Sequence, residues 1–165
     1  MRIGKHTFRG FLFSLVVFLA CQAPDAQETS IISVEQESVG YSDEITFHFE
    51  NITGQTIAVI TTGCGTDEEK YLPSFFVEKR EQQEWVRAGA PVCIAIATPP
   101  ILLESGDTKT IDIPADLGLE TSQIPGEFRY VFDIRTTGPN GNSPGESKIA
   151  IAQRVSPAVR IETSQ

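Results

Sequence analysis

The side chains with chemical reach in this 165-residue chain are few: three cysteines (Cys21, Cys64, Cys93), two histidines (His6, His48) and one dense acidic run, Asp67-Glu68-Glu69. Neither Cys64 nor Cys93 has a Cys-x-x-Cys partner or a neighbouring histidine, so a redox couple or a zinc site lacks its usual ligands. A disulfide or two free thiols remain for that pair, and the cellular compartment decides between them. His48 alone cannot make a blue-copper centre, which takes two histidines, a cysteine and a weak axial ligand, usually methionine; the only methionine is Met1. A nucleophilic triad built on His48 would need its partners brought to strand ends, and His48 is expected instead to be a solvated surface residue. The acidic run could offer oxygens to calcium, but that ion wants six to eight ligands from a shaped loop, so a solvated loop tip is expected. Asn51-Ile52-Thr53 has the spacing of a glycosylation acceptor and is expected to be simply a turn. No catalytic residue, metal ligand or cofactor follows from these residue types.

The elements that hold these residues read as strands. Ile45-Thr-Phe-His-Phe-Glu50 alternates three large apolar side chains with polar ones, the signature of a strand with one buried face. Similar runs occupy Ile32 to Glu37, Thr56 to Thr61, Phe75 to Lys79, Glu84 to Arg87, Thr108 to Ile113, Glu127 to Arg135 and Val155 to Ile161, with weaker ones at Ile101 to Leu103 and Lys148 to Ala152. Between them lie turn formers: Thr53-Gly54, Thr62-Gly63, Ser105-Gly106-Asp107, Pro125-Gly126 and the Gly138 to Gly145 stretch, with a hairpin signal at Asn140-Gly141-Asn142. Outside the amino terminus no long window keeps a helical period; Ala115 to Ser122 has room for a turn or two. Trp85, Tyr130, Phe47, Phe49, Phe128 and Phe132 are expected in the core. Phe75 and Phe76 must face opposite sides of their strand, and an exposed ring beside Tyr71 and Leu72 would make a contact patch. Strands without long helices predict an all-β domain, an antiparallel sandwich of about 7–9 strands.

The amino terminus is built differently. Arg2, Lys5 and Arg9 precede an apolar run from Phe11 to Ala20, about half the roughly 20 residues needed to span a bilayer, which is the layout of a signal peptide over residues 1–20. Phe18-Leu19-Ala20-Cys21 resembles the lipobox of bacterial lipoproteins, although Phe18 and Leu19 are bulkier than that pattern usually has. The resemblance implies acylation of Cys21, a flexible lipidated spacer over 21–30, anchoring at the cell envelope and, with Gln22 rather than Asp behind the cysteine, the outer membrane of a Gram-negative cell. Cleavage at Cys21-Gln22-Ala23 would instead release the chain. Loss of residues 1–20 leaves ten basic against 22 acidic residues, a formal charge of −12, which disfavours nucleic acid as a partner. An exported chain meets an oxidising space, so Cys64 and Cys93 are expected to be bridged.

One further resemblance covers about residues 32–162. The series Ile45-Thr-Phe-His-Phe-Glu-Asn51, Cys64-Gly65, Phe76-Val-Glu-Lys79 with Glu84-Trp85-Val86, Cys93 followed by Pro99-Pro100, Ser105-Gly106-Asp107 and Pro125-Gly-Glu-Phe-Arg-Tyr-Val-Phe132 resembles the immunoglobulin-like domains of exported bacterial proteins. It departs from immunoglobulins proper in that Trp85 lies between the cysteines. The resemblance implies a fold, an immunoglobulin-like β-sandwich over 31–165, rather than an activity. The expected role is a binding or structural accessory that engages an envelope or extracellular protein; the alternative is an extracytoplasmic proteinase inhibitor inserting the loop Ala97-Thr98-Pro99-Pro100. An enzyme is not expected.

Overall fold

A computed structural model describes residues 30–64, 71–93, 98–141 and 143–163. The expected leader, Cys21 and nearly all of the spacer lie outside these residues, as do Gly65, Asp67-Glu68-Glu69, Ala97 and Asn142. Among the described residues no helix is long and apolar enough to cross a membrane.

The strands follow in chain order. The first seven are β1 (Ile32–Val34), β2 (Ser38–Gly40), β3 (Glu44–Glu50), β4 (Ile57–Val59), β5 (Thr61–Thr62), β6 (Leu72–Pro73) and β7 (Phe75–Glu81). The second seven are β8 (Glu84–Gly89), β9 (Ile101–Leu103), β10 (Thr108–Pro114), β11 (Gly126–Phe132), β12 (Ile134–Thr137), β13 (Pro144–Lys148) and β14 (Val159–Glu162). They pair as a three-stranded sheet β1-β3-β10, a five-stranded sheet β2-β14-β11-β7-β8, a four-stranded sheet β13-β12-β4-β9 and the short pair β5-β6. Every pairing is antiparallel except β2 with β14.

Alternation explains how the sheets stack. In β3 it buries Ile45, Phe47 and Phe49 completely and leaves Thr46 and His48 on the other face. In β11 it buries Phe128, Tyr130 and Phe132. The two apolar faces meet through aromatic rings: Phe47 lies 5.0 Å from Tyr130 and 5.2 Å from Phe132, and Phe49 lies 5.0 Å from Phe132. All three are edge-to-face contacts, which set a ring's positive rim against its neighbour's negative face. The result is the all-β sandwich expected, with a core between the three- and five-stranded sheets that Ile57, Val59, Leu103 and Ile134 of the four-stranded sheet extend.

Two expected strands are divided because the chain changes sheet within them, and a third is cut short. The run from Ile32 breaks after Val34, where Gln36 takes over the pairing: its Oε1 accepts from the Thr46 amide at 2.9 Å and its Nε2 donates to Thr46 Oγ1 at 3.2 Å. The run from Thr56 breaks at Ile60, and the run Glu127 to Arg135 breaks at Asp133. These two breaks are one device: the Ile60 amide donates to the Asp133 carbonyl at 2.9 Å, and the Asp133 amide donates to the Ser74 carbonyl at 2.8 Å. The last run is shorter than expected. Ser156 and Pro157 interrupt it, and Ser156 is buried with its hydroxyl accepting the Tyr130 amide at 2.9 Å. The expected strand Lys148 to Ala152 is displaced; the strand is Pro144–Lys148, and Ile151–Gln153 is a 3-10 turn. β5 and β6 were not anticipated as a pair.

The Asp133 switch point is held by charge. Arg135 donates to both carboxylate oxygens, at 3.1 and 2.7 Å, and Lys148 Nζ stands 3.5 Å away. Burial by itself would raise the Asp133 pKa, but the Arg135 hydrogen bonds and charge, with Lys148, outweigh it and hold the carboxyl below 3.8. A carboxyl depressed in the fold contributes stability above its unfolded value, near 3.9, and that contribution is lost as pH falls through the folded value. Thermal melts should therefore show a gap between the wild type and Asp133→Asn that is widest near neutrality and closes below about pH 4. An equal gap at pH 7 and pH 3 would remove the charge from this account.

Candidate functional site

One end of the sandwich gathers most of the residues singled out in the sequence. Cys64, just past β5, is bridged to Cys93, just past β8, with a Cα–Cα separation of 4.9 Å, inside the range a disulfide spans. The expected disulfide is thus present. Thr62 Oγ1 lies 3.7 Å from Cys93 Sγ. Beside it the buried Thr61 hydroxyl pairs with Thr98 Oγ1 at 2.7 Å and donates to the Pro99 carbonyl at 2.8 Å. A small polar clamp therefore fixes the stem that leads into β9, while Tyr71, Val92 and Pro99 face solvent. Thr98, the residue through which an inhibitory loop was expected to act, has its hydroxyl engaged inward.

The outer face of the five-stranded sheet carries a second cluster, one that corrects an expectation. Trp85 is not in the core: register with β7 places it beside Arg80, on the face opposite the buried Phe75 and Val77, while Ala88 of the same strand packs against the core. The Trp85 ring is instead flanked by guanidinium groups, Arg129 at 4.5 Å and Arg80 at 5.9 Å. Arg129 is in turn bonded to Glu78 at 2.6 Å, and Arg80 to Glu127 at 3.2 Å. Phe75 is the buried one of the adjacent pair; Phe76 points outward and is covered by the Arg87 guanidinium at 4.8 Å rather than by a loop. Leu72 packs against the core, which reduces the expected patch around Tyr71. The signal for this cluster was in the sequence as arginines at β-spacing beside aromatics, Phe76 and Arg80 against Trp85 and Arg87, but pairing register was needed to see it.

The remaining candidates are separate from both clusters. His48 stands on the outer face of the three-stranded sheet between Ser33 of β1 and Thr110 of β10 in the ladder, with Nδ1 2.9 Å from Thr110 Oγ1. Among the described residues no three His, Cys, Asp or Glu side chains converge as a metal site. Asn51 is fully buried; its Nδ2 donates to the carbonyls of Gln55 and Leu103 at 2.6 and 2.8 Å, and its Oδ1 accepts from the Thr53 amide and hydroxyl. A glycan has no access to that nitrogen, and the acceptor spacing is a turn, as expected. One spacing escapes the reading above: Gly141 to Gly145 is Gly-x-Ser-x-Gly. A nucleophile elbow requires a strand-to-helix turn, whereas here the residues close the β12–β13 hairpin, with the Gly138 amide donating to the Ser143 carbonyl at 2.8 Å and β13 following at Pro144. The deepest ionisable group is Tyr130, whose phenol is pushed far above 10 by burial and further by the Asp116 charge; its hydroxyl donates to the Ala115 carbonyl at 3.4 Å. It is a core residue kept neutral.

No protein-family model matches the chain, and no curated protein matches it significantly.

Proposed function

We propose that the chain is an envelope lipoprotein, anchored through acylated Cys21, whose immunoglobulin-like domain acts as a non-catalytic binding or structural accessory. The Cys64–Cys93 bridge carries the reading, because reducing compartments keep such pairs as thiols and the two Cα atoms stand 4.9 Å apart, at a disulfide's separation. Support for the immunoglobulin-like assignment comes from two facing, mainly antiparallel sheets, β1-β3-β10 and β2-β14-β11-β7-β8. The Gly141 to Gly145 spacing sits at a hairpin rather than at a strand-to-helix elbow, which favours a binding over a catalytic role. The inward bond of Thr98 weighs against the inhibitor alternative.

Cys21→Ala should move the protein from the membrane fraction to the soluble fraction of the expressing cell while leaving the melting temperature of the domain unchanged. Two or three acyl chains hold a protein firmly to a bilayer, and without them the −12 surface gives no reason to stay. Identical partitioning of the two chains would remove the anchor from this proposal.

A further inference from the structure

Most strand edges in this domain are blunted and one is not. β1, β2 and β9 are three residues long, β10 contains Lys109 and ends on Pro114, and β13 begins on Pro144 and ends on Lys148. Shortness, lysine and proline are the usual devices against edge-to-edge pairing. β8 has six residues with neither lysine nor proline; its one irregularity is the register shift at its Arg87–Gly89 end, beyond Trp85 and Val86, and among the described residues β7 is the strand it pairs with. The two strands are joined by a two-residue turn at Gln82 and Gln83, with Gln82 at φ 58°, and Glu81 opposes Glu84 as the first pair of the ladder. In such a hairpin the closing pair is hydrogen-bonded, and the bonding then alternates. Lys79 with Val86 is the next bonded pair, so the backbone N–H and C=O groups of Trp85 and Arg87 point outward, away from β7.

We propose that β8 pairs antiparallel with β8 of a second copy of this chain, about a two-fold axis through Val86. The axis stands perpendicular to the sheet, so opposed residues must share a face, which restricts the centre to a residue rather than a gap between residues. Centring on Arg87 sets two guanidiniums against each other. Centring on Trp85 leaves Arg87 opposite the turn residue Gln83. Centring on Val86 places each Trp85 opposite the partner's Arg87, and the outward groups of both residues then close four backbone hydrogen bonds. Trp85 and Arg87 already stand on one outer face, held there by Arg129 and Phe76, so each indole gains a further cation at cross-strand distance with little side-chain freedom left to lose. Glu84 falls opposite the partner's Ala88, so no like charges are directly opposed. The outer face next to β8 carries Arg80, Arg87 and Arg129 against Glu78 and Glu127, which lets two strongly acidic molecules approach where each is locally not acidic. This pairing is independent of where the chain resides.

The test uses the full chain purified in detergent. At the two-fold axis Val86 meets its symmetry mate as a non-hydrogen-bonded pair, the close kind, so Val86→Cys should oxidise to a disulfide-linked dimer on a non-reducing gel. Trp85→Cys and Arg87→Cys sit away from their own mates and should give at least about tenfold less, above the background that the unsubstituted chain sets for Cys21. Equal crosslinking at all three positions, or none at Val86, overturns the register. Val86 is 42% exposed in the single chain, so Val86→Lys should leave the melting temperature of dilute protein unchanged. By setting two ammonium groups together on the axis, it should weaken the dimer about thirtyfold or more in sedimentation equilibrium. A wild-type chain that sediments as a monomer at every concentration ends the proposal.

Discussion

Replacing Phe132 by alanine is expected to lower the unfolding free energy by about 3–5 kcal/mol, the cost of deleting a fully buried aromatic from a core that relaxes only in part. Phe132 is the residue on which the two facing sheets converge: it touches Phe47 and Phe49 from the three-stranded sheet and Phe75 from its own, at centroid distances of 5.2, 5.0 and 5.7 Å. Its removal takes away transfer energy, leaves a void between the layers and forfeits the edge-to-face contacts together. Domains of this size have roughly 5–15 kcal/mol in all, so the variant should approach the limit of folding. Trp85→Ala is the instructive comparison, an equally large aromatic on the outer face of an edge strand. Its loss should cost clearly less, because solvent takes over part of the vacated space and the guanidiniums rehydrate. Denaturant unfolding of both variants checks this. A Phe132→Ala loss below about 1 kcal/mol, or a larger loss at Trp85, would mean that the sheets are not packed across this seam.

That comparison also shows what was legible in the sequence. Period-two alternation tells which residues share a face, and for β3, with Ile45, Phe47 and Phe49 between Glu44 and Glu50, it gave the strand and its buried side together. For Trp85 the same alternation is silent on whether the shared face is inner or outer, because that depends on the register with β7, which sets Trp85 beside Arg80 and opposite the face of Phe75 and Val77. Sheet changes were hidden for a related reason. Asp133 is one of several polar residues in the run Glu127 to Arg135, with Arg129 before it and Arg135 after it, and nothing local distinguishes a surface residue from a point where the chain leaves one sheet for another. β13 lacks a period because it is solvated on both faces from Glu146 to Lys148, so Lys148 to Ala152, which has isoleucines, looked better. The pairing of Cys64 with Cys93 was legible once the leader set Cys21 apart and implied an oxidising compartment. The clamp from Thr61 to Thr98 and Pro99 was not, since it joins residues 37 and 38 positions apart through one hydroxyl.

Removing that bridge should be the second large effect. Cys64→Ser with Cys93→Ser is expected to cost about 3–4 kcal/mol on the chain-entropy model, in which a loop closed across 29 positions restricts the unfolded ensemble. The doubly substituted protein should then melt at the same temperature with and without reductant, and the reduced wild type should fall to meet it. An equal response of the two proteins to reductant would count against the bridge. Its position adds a local consequence. The closed loop contains β6, β7 and β8, and Cys93 follows the end of β8 by four residues, so the bridge pins the far end of an edge strand whose strand neighbour is β7. β11, between β14 and β7, is held from both sides. Hydrogen exchange should therefore report unequal losses on reduction: amides of β8 that face β7, Val86 among them, lose protection well before those of β11, because fraying there opens one ladder and little core. Equal loss in both strands would make the bridge a purely global constraint on the unfolded chain. Preferential loss in β8 would mean that the oxidised pair also keeps in shape the edge that a second copy would use.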